Sequence, residues 1–219
     1  MTLFMTLSQT LRSSVGQKIL MAVSGAMLSL FLLVHLVGIS TTFFGSEAFN
    51  SYTEKLHSLG VLVSFFELGL LAVFLLHIFL GITLFLQNNQ ARPVCYQVEK
   101  SSGGRTLGSR TMPYTGVVIL IFIVVHLVNF HFTDHSIPIS DIVKNVLSKP
   151  AYAFFHISAM AVLALHISHG FWSLFQSLGI NHPKYNATLR NGTLGAAILL
   201  SAIFILIPLC TLLIKEFLL

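Results

Sequence analysis

The chain has little charge. Only 9% of its 219 residues are Asp, Glu, Lys or Arg, against roughly 25% in an ordinary soluble domain. Its two cysteines, Cys95 and Cys210, imply neither a disulfide framework nor a zinc site, and the absence of a Cys-x-x-Cys-His run excludes covalent c-type haem. Of the seven acidic residues only Glu67 falls inside an apolar run, so the carboxylates expected of an intramembrane proton or metal path are missing. What is present is apolar: 55% of the residues are hydrophobic and the mean hydropathy is +0.85.

Runs of about 17–25 apolar residues cross a hydrocarbon core of about 30 Å as a helix. Five meet that length, at 19–44, 61–86, 114–130, 151–178 and 194–214. No polar helices are left over to hide them, which excludes a soluble fold. The expectation is an all-α integral membrane protein with five transmembrane helices in a single domain, residues 1–219. Arg12 and Lys18 precede the first run as they would in a signal peptide, but the run is longer than the usual apolar core of about 7–15 residues. It is therefore expected to persist as a span.

Cations set the expected orientation. Arg12, Lys18, Arg92, Arg105, Arg110, Lys100, Lys184 and Arg190 fall on one side of the spans, and Lys55, Lys144, Lys149 and Lys215 on the other. The richer side is expected to be cytoplasmic, with the N-terminus inside. The net charge of +5 then suits anionic lipid headgroups or an acidic protein surface and requires no nucleic acid. Outside lie a partly helical loop, Gly45 to Gly60, and a second loop, Asp134 to Pro150. Inside lie the long connection from Gln87 to Pro113, with its Ser101-Ser-Gly-Gly104 segment, and the short turn from Gly179 to Asn191.

Histidine is the one ionisable residue carried to depth. His35, His77, His126 and His166 lie within the first four spans in turn, where a costly polar group faces the bundle interior and finds a partner. At about 1.5 Å per residue, His35 and His126 lie toward the outside and His77 and His166 toward the cytoplasm. Local sequence repeats the pairing. His35 and His126 each occupy Val-His-Leu-Val, 91 residues apart, whereas His77 and His166 share His-x-x-x-Gly with Gly81 and Gly170. A glycine one turn from a histidine clears volume for a flat ring. Facing imidazoles of this kind suit an iron held from both sides, so the first four spans are expected to form a bundle holding two haems b. His169 lies on roughly the same face as His166, which is preferred because it reproduces the spacing of His77 to its glycine. His156 is read first as an interfacial polar residue and otherwise as a neighbour of the outer site or of quinone. No span offers a His-x-x-x-His, which disfavours zinc.

The pattern resembles the cytochrome b membrane anchor of succinate dehydrogenases and fumarate reductases, of the single-polypeptide dihaem (cytochrome b558) type. Nearly the whole chain carries the resemblance: Ser14-Val-Gly-Gln-Lys18, His35 with the loop Gly45-Ser-Glu-Ala-Phe-Asn50, His77 with Gly81, His126, and the run from His166 through Gly170-Phe-Trp-Ser173 to Gly179. The resemblance implies that His77 and His166 are iron ligands of a proximal haem, near a cytoplasmic iron-sulfur subunit and its flavoprotein, and that His35 and His126 are ligands of a distal one. It implies electron transfer with a quinone, menaquinone being the usual partner of dihaem relatives, in a bacterial inner membrane, with the dicarboxylate chemistry on another subunit. Where some relatives place an acidic residue for quinol oxidation, this chain has His57. Where one has a glutamate for a transmembrane proton path, it has Ala164. His57, Glu54 and Glu67 are the expected proton-exchanging groups near the quinone, and Arg12, Lys18 and Arg110 are the cations available to proximal haem propionates. The competing expectations are a cytochrome b subunit of a hydrogenase or formate dehydrogenase, and a cofactor-free proton or ion transporter.

Overall fold

The computed structural model describes residues 9, 13–91, 107–134, 136–180 and 182–214. Arg12, Arg92, Lys100, Arg105, Lys215, Cys95 and the segment 101–104 lie outside the described residues. The described elements are all helical: α1 (Ser14–Ser40), a 3-10 turn (Thr41–Phe44), α2 (Ser46–His57), α3 (Val61–Gln90), α4 (Leu107–Phe130), α5 (Ile139–Leu147), α6 (Pro150–Ser177) and α7 (Asn186–Leu213). Five of these, α1, α3, α4, α6 and α7, are long and apolar enough to cross a membrane. They form a helical bundle.

Four of the long helices, α1, α4, α6 and α7, begin ahead of their apolar runs, and α3 continues past the end of its own. α4 starts at Leu107, seven residues ahead of its run, and carries Pro113 inside its second turn. Proline lacks an N–H, so the ladder loses one hydrogen bond there. α7 likewise starts at Asn186 on a polar segment. α1 is capped by Ser13, whose hydroxyl accepts the Gly16 N–H at 3.1 Å, and α6 opens with Pro150 in its first turn, where a missing N–H costs nothing.

The buried centre lies among α1, α4, α6 and α7: Leu36, Phe122, Ala159, Met160, Leu163, Ile167, Ala197, Leu200 and Phe204 cluster there. α6 and α7 pack most intimately, with Ala153 and Ala197 fully buried, as expected where small side chains let apolar helices approach closely. The fifth span is thus part of the core and not an outrigger to a four-helix bundle. α3 is different. Leu80 is its one buried residue, and its large apolar side chains, Phe65, Phe66, Phe79 and Phe85 among them, are exposed along its length, as a lipid-facing surface would be.

One end of the bundle is capped by α2 and α5. Gly45, at φ 97°, and Gly60, at φ 54°, bracket α2 and turn the chain back toward α3 through conformations that other residues rarely adopt. α5 was expected only as loop. Its sequence places Ile139, Ile142, Val143, Val146 and Leu147 at helical spacing on one face. Val143 and Leu147 are buried with Phe49 of α2 and Ile207 of α7. Asn50 clamps the two short helices by donating to the Ser140 hydroxyl at 3.0 Å and accepting the Ser140 N–H at 3.1 Å. Val143→Asp would bury an unpaired carboxylate here at a cost of several kcal/mol. The expected result is loss of hydrogen-exchange protection confined to α5, while Asn145→Asp on its exposed side leaves protection intact; equal protection in both variants would contradict the packing described.

Candidate functional site: paired histidines

Four helices bring the four span histidines together in two pairs. His35 of α1 and His126 of α4 stand with ring centroids 6.1 Å apart and planes at 83°. His77 of α3 and His166 of α6 stand 6.4 Å apart with planes at 65°. Two metal–imidazole bonds of about 2.0 Å in line, with about 1.1 Å from each nitrogen to its ring centre, put two centroids about 6.2 Å apart. Both pairs therefore sit at the separation that a single iron held from both sides requires. Among the described residues, no group of three or more His, Cys, Asp or Glu is placed to hold a bare metal ion.

The surroundings of the two pairs differ. At His77 and His166 the neighbours are hydroxyls and glycines. The Ser24 oxygen lies 3.1 Å from His77 Nδ1, and the Thr115 oxygen 3.0 Å from His166 Nδ1. A Cβ added at Gly25 would lie 3.4 Å from His77 Cε1, and one at Gly116 3.7 Å from His166 Cε1. The glycines against the rings are thus Gly25 and Gly116 of the neighbouring helices. The expected pair plays another part: Gly81 faces Met21, and Gly170 has nothing within 4 Å of an added Cβ. A glycine on the histidine's own helix is turned away from the ring that crosses to the next helix.

At His35 and His126 the neighbours are aromatic. Phe31 and Phe204 stack on His35 at 5.5 and 5.9 Å, the second from the fifth span. Phe130 lies 4.8 Å and Phe122 5.5 Å from His126. His156 joins this group. It is buried, 6.3 Å from His126 and edge-on to Phe122 at 5.0 Å, so it is a residue of the bundle interior and not of the interface. Tyr152, one turn earlier on α6, lies 6.4 Å from His156. The Nδ1 atoms of His126 and His156 and the Tyr152 hydroxyl are all buried, with no hydrogen-bond partner among the described residues. Buried polar atoms ordinarily have partners, so this corner has unused capacity to hold a polar ligand.

His166, and not His169, faces His77. His169 instead lines a cavity of about 450 Å³ with Gly108, Trp172 and Arg190. Glu54 and His57 at the end of α2, and Glu67 on α3, all occupy exposed positions, so none of these three expected proton-exchanging groups is among the buried groups beside His126. Lys18 and Arg110 are exposed on the first turns of α1 and α4, one to two turns before Ser24 and Thr115. Ser24, Gly25, Thr115, Gly116, Tyr152 and Phe204 were not foreseen. One signal was there to read: Ser24-Gly25 and Thr115-Gly116 are separated by the same 91 residues as the two Val-His-Leu-Val copies. Comparisons with family models, curated proteins and solved structures return no match, so the geometry of the two imidazole pairs is what bears on function.

Proposed function

We propose that the chain is the dihaem cytochrome b membrane anchor of a succinate:quinone oxidoreductase or quinol:fumarate reductase, carrying electrons between a membrane quinone and a cytoplasmic iron-sulfur subunit. What supports this reading is that, at two levels, histidines of different spans stand in pairs near the separation of bis-histidine ligation, His35 with His126 and His77 with His166, His156 standing at a similar distance from His126 at the first level. When bound, two haems b would supply one-electron carriage at two depths. The chain supplies His77 and His166 as ligands at one level and His35 and His126 at the other; Ser24 and Thr115, which meet the first pair, precede His35 and His126 on α1 and α4 by about 16 Å at about 1.5 Å per residue.

Each end of the bundle then has a task. At the end where α1 starts and α3 finishes, Lys18 and Arg110 would meet haem propionates, and the basic surface would receive the iron-sulfur and flavoprotein subunits. At the end capped by α2 and α5, the unpartnered groups of His156 and Tyr152 would hydrogen-bond a quinone headgroup, menaquinone in keeping with the resemblance. Phe122, Phe155 and Phe130 crowd the same corner and would exclude water from it. The capped end is assigned to the outside of a bacterial inner membrane and the N-terminus to the cytoplasm. The dicarboxylate chemistry belongs to the flavoprotein.

Tagged purification from native membranes tests the reading. A flavoprotein and an iron-sulfur protein should co-purify, and a menaquinol analogue should reduce the b-type absorption of the complex. A purified chain that carries no b-type absorption, or whose absorption no quinol reduces, would contradict it. A hydrogenase or formate dehydrogenase partner would move the chain to a different complex.

A further inference from the structure

Ser24-Gly25 on α1 and Thr115-Gly116 on α4 build the same local device twice. The Ser24 hydroxyl donates to the Met21 carbonyl at 3.1 Å, and the Thr115 hydroxyl donates to the Met112 carbonyl at 3.0 Å. A hydroxyl has one hydrogen to give. With that hydrogen turned back to its own helix, each oxygen faces the neighbouring imidazole as an acceptor only. Each oxygen is then placed to accept an N–H from Nδ1 of His77 or of His166, and a neutral imidazole protonated there keeps its lone pair at Nε2. The glycine that follows each hydroxyl lets the ring lie close against the backbone of α1 or α4.

We infer that Ser24 and Thr115 are positioning residues for iron ligation: each fixes the tautomer and the rotation of one imidazole on the adjacent helix so that Nε2 is presented to the gap between His77 and His166. The inference rests on the haem reading given above. It also separates the two sites, because His126 Nδ1 is buried with no partner, and no such acceptor behind it, among the described residues. Metal-bound histidines generally donate their second N–H in this way, and loss of the acceptor weakens binding by about 10–100-fold. An acceptor behind Nδ1–H also strengthens electron donation from Nε2 and favours the ferric state.

The test uses the full chain carrying Ser24→Ala, Thr115→Val or both, with Ser24→Thr and Thr115→Ser as hydroxyl-retaining controls. Haem content, redox titration and the low-temperature EPR of the ferric form, which reports the angle between ligand planes, are read together. In the double variant one haem should dissociate at least about 10-fold more readily. In the single variants the potential of that haem should rise and its EPR signal shift, the other haem should be unchanged, and the hydroxyl-retaining variants should behave as the natural chain. Unchanged potentials and signals in both single variants, or equal loss of both haems, would overturn the assignment while leaving the haem reading in place. A natural chain with no haem would overturn both.

Discussion

His166→Ala is expected to leave a chain that holds one haem b instead of two and that no longer passes electrons from quinol to its soluble partners. The reason is geometric. Among the described residues His166 is the imidazole set opposite His77, and alanine leaves that pair one donor short. The core of α6 does not depend on it, since Ala159, Met160, Leu163 and Ile167 are buried on their own account, so the variant should still assemble in the membrane. His169→Ala is the matching control. Three residues away, it faces the cavity beside Arg190 and Trp172, and its loss should leave both haems in place. Pyridine haemochrome analysis of the two variants decides the matter, and one haem lost from His169→Ala with two kept in His166→Ala would reverse the ligand assignment.

Gly108→Val should disturb the packing of the spanning helices themselves. A Cβ at Gly108 would stand 2.9 Å from the Cβ of His169 and 3.1 Å from the Leu165 carbonyl oxygen. Neither is the far end of a flexible side chain, so α4 must move away from α6. Overpacking of this kind costs about 1–3 kcal/mol, and the displacement falls two turns from Thr115, which meets His166. Thermal unfolding in detergent should occur at lower temperature, and the His77–His166 site should lose occupancy before the other. Gly170→Ala, on the same helix pair but with nothing within 4 Å of the added Cβ, should not destabilise the protein and can gain up to about 1 kcal/mol from helix propensity. Equal stability of Gly108→Val and the natural chain would mean that α4 and α6 do not meet as described.

Depth was legible in the sequence because it follows from counting along a helix. That is why His35 could be matched with His126 and His77 with His166, whereas His166 was preferred to His169 on its spacing to Gly170, a glycine that lies away from the ring. Rotation about the helix axis was not legible, because α3, α4, α6 and α7 carry no continuous polar face to mark the direction of the core. Gly81 and Gly170 were therefore credited with a closeness that belongs to Gly25 and Gly116, and His156 was assigned to the interface when it turns inward. The contribution of Phe204 was hidden for the same reason, since a histidine-free fifth span gives no hint that it stacks on His35. α5 could have been read from its apolar spacing, but nine residues between Pro138 and Ser148 are too few to stand out beside spans of 24 to 31 residues.

The central claim is that the paired imidazoles hold iron porphyrins, and haem stoichiometry tests it most directly. The natural chain, expressed with adequate haem supply and purified in mild detergent, is analysed by reduced-minus-oxidised absorption and by pyridine haemochrome against protein concentration. Two haems b per chain, both low-spin, is the predicted result. A folded chain with no b-type absorption would contradict the account and return the four histidines to the status of buried polar side chains packed between helices.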